Sequence, residues 1–180
     1  GGSAPLFPYN PVMETIGKYQ IVRELGRGAT GKVYLATDPF GNKQVAIKVA
    51  FPEALKSSED GAFYKSMFLN EAALAGKLHH PHIVQIYDAV VDEAQSYIVM
   101  EYVAGGTLEP FCTPDNLLPL DRLVEIVFKC TRALDYAYHL GITHRDIKPA
   151  NILLASGGDI KISDFGAALF SSGEQTRTQV

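Results

Sequence analysis

The sequence predicts an α+β fold with a strand-rich first part and a largely helical second part. Five short segments with alternating or continuous apolar residues lie between Tyr19 and Val103, with one segment of helical spacing among them. From Leu120 onward a long amphipathic segment follows. The chain has 180 residues, of which 47% are hydrophobic. That is enough to bury the core of one domain or of two small lobes.

Composition excludes some classes of function. The formal net charge of -4 argues against a nucleic-acid-binding protein, which is normally basic. No apolar run reaches the roughly 18 residues of a membrane-spanning helix, so we expect no membrane segment in this sequence. The two cysteines are Cys112 and Cys130. Cys130 lies on an apolar helical stripe, which favours a buried thiol over a disulfide and indicates a reducing, cytoplasmic environment.

The elements follow one another in a regular order. Residues 1–16 are rich in Gly and Pro and predict a flexible arm. Strands are predicted over residues 19–25, 32–37, 45–49, 83–87 and 97–103. A helix is predicted from Phe63 to Leu78, with Phe63, Met67, Leu74 and Leu78 on one side. A second helix is predicted from Leu120 to Leu140, with an apolar stripe made of Leu123, Ile126, Val127, Cys130, Leu134 and Ala137.

The glycines Gly26, Gly28 and Gly31 form a G-x-G-x-x-G pattern between the first two strands. A dinucleotide-binding fingerprint requires a helix directly after the third glycine, and none is predicted there. A Walker A loop requires Ser or Thr after Gly31-Lys32, where Val33 stands. A phosphate-covering loop between two strands, with a valine two positions after the last glycine, fits the pattern. A plain hairpin turn is the ordinary explanation when such a pattern stands alone.

The densest polar chemistry lies in the segment from Thr143 to Asn151 and in Asp164-Phe165-Gly166. Asn151 and Asp164 offer oxygen atoms of the kind that hard cations prefer. Lys148 can neutralise charge on a transferred phosphoryl group, and Asp146 can accept a hydroxyl proton.

These two segments resemble the catalytic loop H-R-D-x-x-x-x-N and the D-F-G motif of the protein kinase family. The resemblance extends over residues 19–180, and the motifs are most similar to those of bacterial Ser/Thr kinases related to the eukaryotic family. It implies a protein-kinase-like bilobal fold. Residues 17–103 would form a complete five-strand amino-terminal lobe with helix C. Residues 104–107 would form a linker, and residues 108–180 the first part of a helical carboxy-terminal lobe.

The resemblance also implies an activity, namely the ATP- and Mg²⁺-dependent phosphorylation of Ser or Thr hydroxyls in a protein substrate. In the family, a strand lysine paired with a helix glutamate holds the nucleotide phosphates, and here these are Lys48 and Glu71. Asp146 would act as the catalytic base, with Lys148 at the transferring phosphate. Asn151 and Asp164 would bind Mg²⁺. The residues expected to contact ATP are Gly26, Gly28, Gly31, Val33, Ala46, Lys48, Met100, Glu101, Val103 and Leu153.

Two other functions stay open at this point. One is a nucleotide-binding regulatory module or inactive kinase fragment that binds ATP without transferring phosphate. The other is a P-loop NTPase, against which Val33 already counts. Thr176 and Thr178 lie in the segment that resembles an activation loop and are candidate phosphorylation sites.

Overall fold

Alternating apolar residues in the first half of the chain form a curled antiparallel sheet. The computed structural model describes residues 14–28, 30–56 and 59–171. The strands of this sheet are β1 (Thr15–Ile16), β2 (Tyr19–Arg27), β3 (Gly31–Asp38), β4 (Lys43–Ala50), β5 (Ile86–Val90) and β6 (Ser96–Glu101). Their order is β1-β2-β3-β4-β6-β5. The five predicted strands are therefore present, and a sixth, β1, uses the last two residues of the segment predicted to be a flexible arm.

Helices and shorter strands make up the rest of the described chain. Helix α1 (Glu59–Ala72) lies between β4 and β5, and helix α2 (Leu120–His139) follows the sheet. Four short strands come next: β7 (Ile142–Thr143), β8 (Ile152–Leu154), β9 (Ile160–Ile162) and β10 (Leu169–Phe170). They pair as two antiparallel ribbons, β7 with β10 and β8 with β9. No helix in the described residues is both long and apolar enough to cross a membrane.

The strand register shows which side chains share a face of the sheet. Directly paired residues of antiparallel strands share a face. Val33 pairs with Lys48, and Ala46 pairs with Met100. These four side chains therefore lie on one face. The opposite face packs into a separate core with the β1–β2 turn, made of Ile16, Tyr19, Ala36, Val45, Ile47, Tyr97 and Val99.

A larger core joins the sheet to the second part of the chain. It combines Phe68 of α1 and Ile98 of β6 with Ile126 of α2, Ile162 of β9 and Phe165. Ile98 and Ile162 have no exposed surface. Because one apolar cluster runs through both parts, the positions of α1, the sheet and the loops after α2 are coupled by close packing.

Helix α1 differs from the prediction at both ends and in its buried face. It begins at Glu59, four residues before the predicted Phe63, and stops at Ala72. Tighter turns follow, in which Leu74 N–H donates to Glu71 O and Lys77 N–H donates to Leu74 O. These turns bring Leu74 and Leu78 into the core, whereas Phe63, predicted to lie on the same side, is 61% exposed. The predicted helix to Leu78 was therefore too long.

The predicted strand over residues 83–87 also starts later, at Ile86. Val84 N–H donates to Ile162 O at 2.9 Å, and Ile162 N–H donates to His82 O at 2.8 Å. The backbone of residues 82–84 therefore pairs with β9, whereas Gln85 O still accepts from Glu101 N–H of β6 at 2.8 Å. This exchange of partners is one of the links between the two parts of the chain.

Helix α2 buries a narrower face than the predicted stripe. Ile126, Cys130 and Ala137 are buried as expected, together with Ala133, and burial raises the pKa of the Cys130 thiol. Leu123 and Val127 are 44% and 56% exposed, contrary to the prediction. They border an apolar groove of about 680 Å³, whose other walls include Phe111, Leu117, Leu120, Leu134 and Ile147.

The 180-residue chain is expected to self-associate through this groove. Because Leu123 and Val127 stay about half exposed, the fold lacks on the order of 2 kcal/mol of the free energy that their full burial would contribute. Solvent-exposed apolar patches of this kind favour association. The double substitution Leu123→Gln/Val127→Gln should raise the monomer fraction in light scattering. The control Phe40→Gln/Phe63→Gln, which replaces exposed apolar side chains outside the groove, should not. A monomeric, cooperatively melting 180-residue chain would contradict this expectation.

Candidate active site

The structure places a lysine and a glutamate from different elements in direct contact. Lys48 lies in the middle of β4, and Glu71 lies next to the last residue of α1. The Nζ atom of Lys48 is 2.7 Å from Oε2 of Glu71. This distance is typical of a charge-assisted hydrogen bond. The contact fastens the end of α1 to the centre of the sheet.

The charges around Lys48 favour its protonated form. The Glu71 side chain is 5% exposed and that of Lys48 is 33% exposed. Burial alone would lower the pKa of Lys48, but the carboxylates of Glu71 and Asp164 and the hydrogen bond to Glu71 outweigh it, so the pKa is raised. Lys48 therefore carries its positive charge between two carboxylates from opposite parts of the chain.

A small cavity borders the same pair. It measures about 180 Å³, and Lys48, Glu71, Asp164 and Gly166 contribute to its walls. Thr30, beside the glycine-rich loop, also lines it. The cavity thus brings together the lysine, the glutamate and the aspartate that the sequence analysis had selected.

The sheet face that carries Lys48 also carries the residues predicted to contact adenine. Val33 lies opposite Lys48, Met100 lies opposite Ala46, and Ala46 is buried. Beyond the end of β6, the N–H of Val103 has no acceptor in the described part of the chain. Leu153, from β8, is bridged to Thr107 in the segment that follows β6. Val33, Ala46 and Met100 thus share one face of the sheet, and Leu153 lies beside the segment after that sheet's last strand.

Only one of the three loop glycines is required by packing. A Cβ atom at Gly31 would lie 2.0 Å from the carbonyl oxygen of Val49, so β4 approaches too closely for any side chain. A Cβ atom at Gly26 or at Gly28 would meet no atom within 4 Å. The N–H of Gly28 donates to Gly31 O at 2.9 Å and closes the loop. The space over the first two glycines is open to a ligand.

The catalytic-loop residues lie around Asp146. The Nδ2 atom of Asn151 donates to the carbonyl oxygen of Asp146 at 2.9 Å and to its Oδ2 at 3.2 Å. Lys148 Nζ lies 3.6 Å from the same Oδ2. Because the amide hydrogens of Asn151 are bonded to Asp146, its Oδ1 atom remains available as a ligand for a metal ion. Lys148 is exposed.

His144, to which the sequence analysis gave no separate role, supports this loop. Its ring is buried, Nδ1 accepts from Asp146 N–H at 3.1 Å, and Nε2 lies 2.8 Å from Ser163 O. A carbonyl oxygen can only accept, so Nε2 carries the proton and the imidazole is neutral. The ring of Phe165 packs edge-on against it at 4.5 Å between centroids. A buried histidine inside a known motif could have been noticed in the sequence, but its two partners could not.

Asp164 has the left-handed backbone conformation, with a φ of 62°. Such a φ is costly for a residue with a side chain and occurs where surrounding contacts enforce it. Here the neighbouring Ser163 N–H donates to Asn151 O at 2.9 Å, which links the two residues predicted to bind Mg²⁺.

Asn151 and Asp164 alone would give a metal ion only two protein ligands. Within the described residues no group of three or more His, Cys, Asp or Glu side chains could hold an ion. Mg²⁺ commonly binds through one or two protein ligands and keeps waters or phosphate oxygens as the others, so Asn151 and Asp164 fit it. Thr176 and Thr178, the candidate phosphorylation sites, lie outside the described residues.

Comparisons with known proteins agree with this geometry. The family model described as protein kinase domain matches residues 19–180. The probable serine/threonine-protein kinase PknB of Lactococcus lactis is 41% identical over 153 residues, which cover 84% of this chain and 24% of that protein. Serine/threonine-protein kinase PrkC of Bacillus subtilis is 41% identical over 152 residues, covering 84% of this chain and 23% of that protein.

A solved structure shows the same fold. The kinase domain of Mycobacterium tuberculosis PknI superposes with a TM-score of 0.69 at 34% identity, covering 88% of this chain and 62% of that one. The chain therefore spans about a quarter of the length of the two curated relatives and under two thirds of the solved domain. With a family model matched over most of its length, this chain belongs to the protein kinase family, in its eukaryotic-like serine/threonine branch.

Proposed function

We propose that this chain carries the ATP-binding and phosphoryl-transfer residues of a Mg²⁺-dependent serine/threonine protein kinase. The observation that carries the proposal is the contact between Lys48 and Glu71 beside the carboxylate of Asp164. In this family, activity requires the lysine–glutamate pair and the D-F-G aspartate together. We place the activity in the cytoplasm, where ATP is available and where Cys112 and Cys130 would stay as the free thiols they are.

The nucleotide would lie between the sheet face and β8. Val33 and Ala46 on one side and Leu153 on the other would contact the adenine ring. Glu101 O and Val103 N–H would bond its polar edge. Open space over Gly26 and Gly28 would let backbone N–H groups approach the phosphates, and Lys48, oriented by Glu71, would neutralise their charge.

Asp146 would take the proton from the attacking hydroxyl. A Ser or Thr oxygen of the substrate would form the new bond to the γ-phosphorus, the bond to the β-γ bridging oxygen would break, and ADP would leave. The hydrogen bonds from Asn151 and to His144 hold the Asp146 backbone and carboxylate in place for this step. Lys148, 3.6 Å from Asp146, would lie at the transferred phosphoryl group.

Asn151 and Asp164 would hold Mg²⁺ through their side-chain oxygens. A bound Mg²⁺ supplies neutralisation of the charge on the phosphates. The hydrogen bond from Ser163 N–H to Asn151 O keeps these two residues together before any ligand binds.

Binding of nucleotide without transfer is the competing function. Transfer of labelled phosphate from ATP to a generic basic protein, by the full-length protein, separates the two. A protein that binds Mg²⁺–ATP and labels no acceptor would support the regulatory module instead.

Lys48→Met is expected to lower kcat/KM of the full-length protein by two to three orders of magnitude while the fold persists. One electrostatic contact to a developing charge is worth about 3–4 kcal/mol of barrier. The control Lys77→Met removes an exposed lysine of the loop after α1 and should leave the rate unchanged. An unchanged kcat/KM in Lys48→Met would show that this lysine has no role at the phosphates.

Asp146→Asn and Asp164→Asn are expected to have different effects on binding. Asp146→Asn should abolish transfer and leave the affinity for Mg²⁺–ATP nearly intact, because a catalytic base is not a metal ligand. Asp164→Asn should weaken ATP binding only when Mg²⁺ is present. Calorimetric titration with and without Mg²⁺ measures both effects. Equal loss of nucleotide binding in the two variants would refute this division of roles.

A further inference from the structure

The side chain of Asn70 joins helix α1 to the segment that follows Asp164. Its Nδ2 atom donates to the carbonyl oxygen of Gly166 at 3.2 Å and to that of Ala168 at 3.4 Å. Carbonyl oxygens can only accept, so the two contacts require the NH₂ group of the amide and determine its orientation. These contacts cross from the first part of the chain to the second, 96 and 98 residues apart in sequence.

A second side chain holds the same short segment from the other direction. The Nε atom of Arg145 donates to Ala167 O at 2.8 Å, between the two carbonyls that Asn70 uses. Three consecutive carbonyl oxygens are thus bound, two by α1 and one by the catalytic loop. Arg145 has a φ of 68°, a conformation that surrounding contacts must maintain.

The contact between helix and segment is also close at Gly166. A Cβ atom there would lie 3.3 Å from Met67 O of α1 and 3.4 Å from Oδ1 of Asp164. A side chain at this position would press on the helix and on the aspartate together. The absence of one lets α1 approach near enough for Asn70 to reach its acceptors.

Asn70 precedes Glu71 in the same helical turn. A rotation or shift of α1 that separates Glu71 from Lys48 therefore also pulls Asn70 from Gly166 and Ala168. Conversely, a shift of the segment after Asp164 removes two hydrogen bonds from the helix that carries Glu71. The Asn70 amide thus connects the helix turn that carries Glu71 to the segment directly after Asp164.

We propose that Asn70 is a positioning residue, which holds Asp164 and its following segment in register with the Lys48–Glu71 pair. The inference rests on the proposed function, because its consequence is that Mg²⁺-dependent ATP binding requires the Asn70 amide. Asn70 itself touches neither phosphate nor metal in this account; it acts through Asp164.

The test replaces Asn70 by Leu in the full-length protein and measures ATP affinity by calorimetry with Mg²⁺ and with chelator. Leucine has nearly the same size, adds no charge and is a better helix former, so α1 is not weakened. The measured quantity is the factor by which Mg²⁺ increases the affinity for ATP. In Asn70→Leu this factor is expected to be about tenfold to thirtyfold smaller than in the wild type, which matches the loss of two hydrogen bonds. The affinity without Mg²⁺ should be unchanged. Ser66→Leu, at an exposed position of the same helix, is the matched control and should behave as wild type.

A purely structural role of Asn70 would lower thermal stability and leave the Mg²⁺-dependent gain intact. The second variant, Asn70→Asp, keeps the shape of the side chain but loses both donors, and it should show the same loss as Asn70→Leu. Wild-type Mg²⁺ dependence in either folded variant would overturn the inference. Wild-type protein that binds ATP equally well with and without Mg²⁺ would instead refute the proposed function, and the inference would fall with it.

Discussion

The rest of the site depends on a buried carboxylate that needs a cation. Glu71 is 5% exposed and its neighbours in the core include Phe68 and Leu74. An ionised carboxylate in such surroundings is costly unless it is paired and hydrogen-bonded. Lys48 meets that need at 2.7 Å, and it is held at the centre of β4 by strand pairing on both sides. The pair therefore sets how closely α1 can approach the sheet.

In the part of the chain that follows α2, a few polar side chains form hydrogen bonds with backbone groups. His144 accepts from Asp146 N–H and donates to Ser163 O, so one neutral imidazole connects the segments that carry Asp146 and Asp164. Asn151 adds a second connection, because it donates to Asp146 and accepts from Ser163 N–H. These contacts tie the backbone at Asp146 to the backbone beside Asp164.

Much of this arrangement could be predicted, for identifiable reasons. Short apolar runs between turn residues place the five main strands to within about three residues, since strand periodicity is a local property. Asp146 and Asp164 could be selected because their motifs are long, whereas the pairing of Lys48 with Glu71 followed from the resemblance to the kinase family. The end of α1 could not be predicted, because the apolar spacing continues through Leu74 and Leu78 although tighter turns have replaced the helix. Nor could the contacts of His144 and Asn70, since their partners lie far away in sequence and are backbone atoms.

A double-mutant cycle on Lys48 and Glu71 tests the central claim most directly. The measured quantity is kcat/KM for ATP in the full-length protein, for Lys48→Met, Glu71→Gln and the double variant. If Glu71 acts only by orienting Lys48, the double variant should be no slower than Lys48→Met, so the two losses are strongly non-additive. Fully additive losses would show that the two residues act independently and would contradict the account.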